Sequence, residues 1–359
     1  METNNNIVHS KFLYIFFIFL SLNIFFFSTV KTDAKAFDIN NIEISRPFEM
    51  KFNKNEVINE GFREAFYKLI SLILNSSDQK KIVSIKLNEI KGMIESFSIK
   101  EEKFINEIYN VNLGVSFNKK KVFGYLEKKN IFPSIPVKKN FLFIPIIIDE
   151  NKKDLLIFYN NKIFSMWNEY HERSKLIEYI LPTEDLEDLN QIKKNYELIE
   201  QYDFKEIIKK YNLDNSIIAL IFKGVEETRV LSRITTKNDV ILQNQTFLST
   251  DVENIDQVKI IIEKLKISYE DYWKDFNKIN TSIKLPLSIK ISNSDNFKIL
   301  ELEKNLKNID LVYDFYISKF DKDFTYFQVI FNGTPSIFLE TMSDKDYSFD
   351  TQKKVWTIK

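Results

Sequence analysis

The chain has 359 residues, of which 44% are hydrophobic, and its 51 basic and 51 acidic residues give a formal net charge of zero. This composition excludes a disordered or fibrous chain, and the balanced charge with only five arginines argues against a nucleic-acid partner. The absence of cysteine excludes disulfides, thiolate metal sites, cysteine nucleophiles and a lipidated N-terminal cysteine.

The first 36 residues have the pattern of a secretory signal peptide. Lys11 precedes an apolar run over 12–30, and Ala34-Lys35-Ala36 places small residues where signal peptidase requires them. We therefore expect cleavage after Ala36 and a mature chain in the periplasm. The alternative is an uncleaved anchor, because the 19 residues of the run approach the ~20 that span a bilayer. The protein would then be held in the inner membrane by a single N-terminal helix.

The rest of the chain is predicted to be α+β, with two or three small mixed-sheet α/β domains joined by a long helix. Pro133 and Pro136 mark a linker between the first two domains. The predicted parts are an α/β domain over 37–135, an α/β domain over 136–250, the long helix over 251–282 and a C-terminal α/β unit over 283–359.

The predicted elements of the first domain begin with a helix over 56–74, where apolar side chains recur three and four residues apart. A second helix is predicted to carry Val83, Leu87 and Ile90. Strands are predicted over 93–99 and 108–117, the latter from its strict alternation of apolar and polar residues. A further helix is predicted to follow, with Asn118 as its N-cap.

The predicted middle domain opens with an apolar strand over 141–148. Pro182-Thr183-Glu184 predicts a helix start with Thr183 as the N-cap. The other predicted elements are a helix over 163–170, a strand over 177–181, a helix over 204–211, and strands over 217–225, 229–235 and 240–248. The long helix is predicted more narrowly over 252–279 from apolar residues at helical spacing.

The last unit is predicted to echo part of the first. It contains a predicted strand over 285–291, and Thr334-Pro335 predicts the start of its final helix. Residues 83–129 and 296–341 both have the order helix, strand, strand, helix. The echo indicates either two copies of one α/β unit or a coincidence between simple layered units.

Catalytic candidates are few. His171, beside Glu172, is the sole histidine after residue 36. The acidic group Glu184, Asp185 and Asp188 could supply paired carboxylates for acid–base chemistry. Each candidate also has a structural alternative, since a lone histidine is often a surface residue and acids suit the first turn of a helix.

Phosphate-binding and cofactor-binding motifs are absent from the sequence. It contains no nucleophile elbow, Walker A loop or dinucleotide fingerprint, and its six glycines are dispersed. Because phosphate loops need glycines close together, we expect neither a nucleotide enzyme nor a bound cofactor.

Several short runs resemble an exported Gram-negative bacterial family known as domain of unknown function 2066. These runs lie within residues 56–195 and comprise Arg63, Ala65 and Leu69, the stretch from Tyr109 to Asn118 with Val122 and Leu126, and Leu181-Pro182 with Asp185 and Asp188. The resemblance implies an exported location and supplies no catalytic residue. Residues 141–249 also look like the α/β amino-terminal domain of TolB, as an analogy of fold pattern alone.

Three functions are compatible with these features. The first is a non-catalytic interaction or assembly module of the envelope, which binds a partner protein by strand addition at a sheet edge. The second is a hydrolase that uses Glu184, Asp185 or Asp188 with His171. The third is a structural protein tethered to the membrane, with only the N-terminal segment in the bilayer.

Overall fold

The computed structural model describes residues 37–169, 176–224, 226–237, 239–248, 250–294 and 296–359. The predicted cleavage residues Ala34 and Ala36, and the candidate His171, lie outside these ranges. The α+β class predicted from the sequence is confirmed, because the described residues form three sheets and flanking helices. None of the helices in these ranges is both long and apolar enough to cross a membrane.

The first unit is a three-stranded antiparallel sheet packed on a long helix. Its elements are β1 (Asp38–Pro47), α1 (Lys54–Ile73), α2 (Ser76–Lys80), α3 (Leu87–Met93), β2 (Ile94–Ile105), β3 (Ile108–Phe117) and α4 (Lys119–Lys128). The strand order is β1-β3-β2. The Asn118 side chain caps α4 as predicted. Val83 lies in the turn before α3 and is exposed, so its predicted place in a helix was wrong.

The middle unit is a six-stranded sheet covered by helices on both faces. Its strands are β4 (Lys139–Asp149), β5 (Asp154–Leu156), β6 (Ile177–Ile180), β7 (Ser216–Lys223), β8 (Glu227–Thr235) and β9 (Val240–Leu248). Their order is β5-β4-β7-β8-β9, and β6 also pairs with β4. β4 runs parallel to β6 and β7, whereas β8 and β9 are antiparallel to their neighbours.

The helices of the middle unit pack on the two faces of its sheet and form two apolar core layers. They are α5 (Lys162–Met166), α6 (Leu186–Lys194), α7 (Lys205–Lys209) and the long helix α8 (Ile255–Phe276). Ile261, Ile262 and Leu265 of α8 pack on one face of the sheet. Residues of α6 and α7 cover the other face. The long helix predicted from the sequence is therefore present, capped by the Asn254 side chain.

The last unit repeats the topology of the first. Its elements are β10 (Leu285–Ser292), α9 (Asn296–Asn308), β11 (Val312–Phe320), β12 (Phe324–Phe331), α10 (Pro335–Ser343), β13 (Phe349–Asp350) and β14 (Trp356–Ile358). The antiparallel order β10-β12-β11 matches β1-β3-β2, and each third strand is followed by a helix. The Thr334 side chain caps α10 as predicted. The echo thus extends beyond the four elements that the sequence indicated.

The first and last units share one continuous core. Buried apolar side chains drawn from the range Phe37 to Ile131 and from the range Ile279 to Met342 form a single cluster. Polar contacts cross the same interface, since Lys119 donates to the Ile309 carbonyl at 2.8 Å and Lys120 pairs with Asp314 at 2.6 Å. The two repeats therefore stabilise each other although the middle unit separates them in sequence.

Candidate functional site

The predicted carboxylate group lies at the start of α6 and has a capping role there. The Asp185 side chain accepts hydrogen bonds from the Glu187 and Asp188 amides at 2.7 and 3.3 Å. Asp185, rather than Thr183, is thus the N-cap, and the predicted Thr183 cap was wrong. Because α6 begins two residues later than expected, the Thr183 amide instead donates to the Tyr211 hydroxyl at 2.8 Å.

A single lysine pairs with two of the three candidate carboxylates, those of Asp185 and Asp188. Lys210 Nζ lies 2.6 Å from Oδ1 of Asp188 and 3.2 Å from Oδ2 of Asp185. The hydrogen bond to Asp188, and then that to Asp185, raise the pKa of Lys210. Lys210 and the two backbone amides lower the pKa of Asp185. Glu184 is exposed beside this group. Asp185 and Asp188 therefore join α6 to the end of α7, a structural role.

A second charged group lies on the buried side of α8, and sequence reasoning missed it. The Glu270 carboxylate accepts from the Leu176 and Ile177 amides at 3.0 and 2.9 Å. Lys266 donates to the Trp167 carbonyl at 2.6 Å. The sequence signal for this charged group is a charged residue at every fourth position along the apolar side of α8. These side chains hold the chain on both sides of residues 170–175.

Concave surfaces and clusters of possible metal ligands are the other places where a catalytic site could lie. A groove of about 510 Å³ between β1 and α1 is lined by Glu43, Glu64, Lys68 and uncharged neighbours. Lys68 donates to the Asn40 carbonyl at 3.2 Å. Within the described part of the chain, no three His, Asp or Glu side chains converge as metal ligands. Of the three tryptophans, which could serve as binding aromatics if exposed, Trp167 and Trp273 are buried and Trp356 is half-buried.

The sheet edges differ in how well they are protected against pairing with another chain. Charged side chains are the usual protection, and short strands are another. β1 carries three charged residues, β2 five and β11 two, while β5, β6 and β13 have only two to four residues. β9 has nine residues and no charge. Among the described residues it is the one long edge strand without this protection.

The outward face of β9 is apolar at its ends. Val240, Leu242 and Leu248 are 58%, 65% and 75% exposed. Asn244 and Thr246 lie between them on the same face and are also exposed. A strand pairs through its backbone and selects its partner through alternate side chains, so this face can contribute both affinity and specificity.

The inward face of β9 is held firmly against α8. Ser268 of α8 donates to Gln243 Oε1 at 3.0 Å and accepts from Gln245 Nε2 at 2.6 Å. Phe247 is buried, and Lys264 lies over its ring at 5.6 Å from the centroid. Because these contacts fix the strand in an extended conformation, its free edge is ordered before any partner binds.

Comparison with known proteins adds no family to these observations. The sequence matches no family model and no curated protein. The resemblance drawn from residues 56–195 stays a prediction.

Proposed function

We propose that the protein is a non-catalytic interaction module of the bacterial cell envelope, which binds a partner chain by strand addition along β9. The observation that carries this proposal is an uncharged nine-residue edge strand on a sheet whose position is fixed by α8. An added strand hydrogen-bonds to the unpaired backbone groups of such an edge.

The structural roles of the acidic residues favour a binding function over a catalytic one. Asp185 and Asp188 contribute to a helix cap and an ion pair, and Glu270 accepts from two backbone amides. A general base needs an available lone pair within reach of a substrate. The envelope location in this proposal comes from the apolar N-terminal segment and Ala34-Lys35-Ala36.

Photocrosslinking in a Gram-negative host tests the proposal. The full chain would carry a photoreactive phenylalanine analogue at Leu242 and, as a matched control, at Tyr316 of β11. These side chains are 65% and 54% exposed, and both lie on edge strands. We expect adducts from position 242 alone, and their loss when Asn244→Lys adds a charge to the edge. Equal adducts at both positions, or none at 242, would overturn the proposal.

A further inference from the structure

We propose that the strand added to β9 is β9 of a second copy of this chain, antiparallel to the first about a two-fold axis at Asn244. This inference rests on the proposed function, because it requires the β9 edge to accept a strand. It goes further by naming the partner and the register.

The sequence of β9 is close to a chemical palindrome centred on Asn244. Three of the four pairs of residues equally distant from the centre match in character: Val240 with Leu248, Ile241 with Phe247, and Gln243 with Gln245. In the fourth pair the methyl-bearing Thr246 is opposite Leu242. Two copies of one strand that pair antiparallel about a two-fold axis place such residues directly opposite each other. The side chains of one β9 strand are thus largely complementary to those of β9 in a second copy.

In this register the inward face would be matched along its length, and the outward face at its ends and its centre. On the outward face, the exposed Val240 and Leu248 meet at each end, and the two Asn244 amides meet at the centre. Side-chain amides can donate and accept, so an Asn–Asn pair is self-complementary. On the inward face, glutamines already bound to Ser268 lie opposite glutamines.

Charge and register both favour this partner. The strand has no charged residue, so no like charges meet when it pairs with itself. Moving the axis by one residue, to Gln243, would place Ile241 opposite Gln245 and leave Leu248 without a counterpart. Register is set by such patterns of apolar and polar side chains. Pairing at Asn244 would join two six-stranded sheets into one continuous sheet.

The absence of cysteine allows a direct test of the axis. In the full chain produced in a bacterial host, Asn244→Cys would place two thiols opposite each other on the axis. Antiparallel opposite residues have Cα atoms about 4.5–5.5 Å apart, within disulfide range. We expect mild oxidation to give a species of twice the chain mass, which reducing agent removes.

Leu242→Cys is the matched control, since this position is also exposed but is opposite Thr246 in the proposed register. We expect the disulfide-linked dimer to be lost in Leu242→Cys and recovered in the double variant Leu242→Cys/Thr246→Cys. Equal dimer from the single Asn244→Cys and Leu242→Cys variants would indicate random collision and overturn the inference.

A charge exchange tests the same pairing without covalent chemistry. We expect Asn244→Lys and Asn244→Asp to be monomeric alone, because like charges meet on the axis, and to form a mixed dimer together. Monomeric wild-type protein, together with a different protein crosslinked at Leu242, would overturn the second-copy partner and leave the proposed function standing. No dimer and no crosslink at Leu242 would overturn both.

Discussion

Lys210 Nζ lies 2.6 Å from Oδ1 of Asp188, so a surface ammonium group pairs with a carboxylate that is only 3% exposed. The contact joins the first turn of α6 to the end of α7. It also gives Asp188, one of the three predicted acidic candidates, a structural role.

Replacing Asp188 tests this structural role. We expect Asp188→Ala to lower the free energy of unfolding by about 1–3 kcal/mol, because a buried charged hydrogen bond is lost. Urea unfolding followed by circular dichroism measures the change. Glu184→Gln is the control and should leave stability unaltered, since Glu184 is exposed. Equal effects of the two substitutions would contradict the assigned role.

Lys119 gives a prediction for pH dependence. Burial lowers its pKa from 10.5 to about 8, and the nearby Asp310 opposes that shift. A lysine whose folded pKa is depressed destabilises the fold while it is charged, and the penalty disappears as pH rises from about 8 to about 10.5. We therefore expect Lys119→Met to stabilise the protein most below pH 8, with a gain up to about 3 kcal/mol greater than at pH 10.5.

Thermal unfolding of Lys119→Met and wild type across pH 7–10.5 measures that difference. The Ile309 carbonyl keeps the Val312 amide as a donor, so methionine does not leave it unpaired. Lys120→Met is the control, since pairing with Asp314 raises the pKa of Lys120. A stability difference for Lys119→Met that is constant with pH would show that burial of the ammonium group is not its cause.

Glu270 should be essential to the middle unit. Removing its carboxylate leaves the Leu176 and Ile177 amides without this acceptor, so we expect Glu270→Ala to cost about 2–4 kcal/mol. Denaturant unfolding measures the loss. Glu263→Ala, on the exposed side of the same helix, should cost less than about 0.5 kcal/mol. Similar losses of stability in both variants would show that a change in helix propensity, and not the lost hydrogen bonds, causes the effect.

The shared core predicts coupling between the first and last units. Leu302 of α9 is fully buried in the common cluster, and Leu302→Ala should cost about 2–5 kcal/mol. We expect hydrogen exchange to accelerate in β3 of the first unit as well as in β12. Faster exchange confined to residues 285–358 would show that the repeats unfold independently.

The N-terminal segment gives a prediction about processing. In a Gram-negative host, we expect the N-terminus of the exported protein to be Phe37, as read by mass spectrometry. Ala36→Arg should block cleavage and leave a longer chain in the membrane fraction. An intact Met1 in the wild-type protein would instead favour the uncleaved anchor.

Several elements were predictable because their side chains follow one period. Helix α8 and strand β3 show their buried stripes directly in the sequence. β1 was missed because its pattern is broken: a register shift falls between Ile39 and Ile42, and Asn41 has a φ of 59°. A bulge of this kind interrupts the alternation that marks a strand.

Identifying the candidate site depends on the order of strands in the sheet, which the sequence pattern does not reveal. Residues 240–248 read correctly as a strand, and their lack of charge was visible. That β9 is an edge depends on β8 occupying one side of it, a long-range pairing choice. Thr183 failed as a cap because the position of a helix start is fixed by which side chain reaches free amides, and Asp185 does so.

The common core of the two repeats has a consequence for the order in which the chain can be completed. Residues 139–276 form an insertion within what is spatially one discontinuous domain. The first repeat is synthesised early, yet the apolar residues that it shares with the last repeat stay uncovered until that last repeat has left the ribosome. A chain threaded across a membrane from its N-terminus would meet the same delay, with the apolar residues of its first repeat exposed in the meantime.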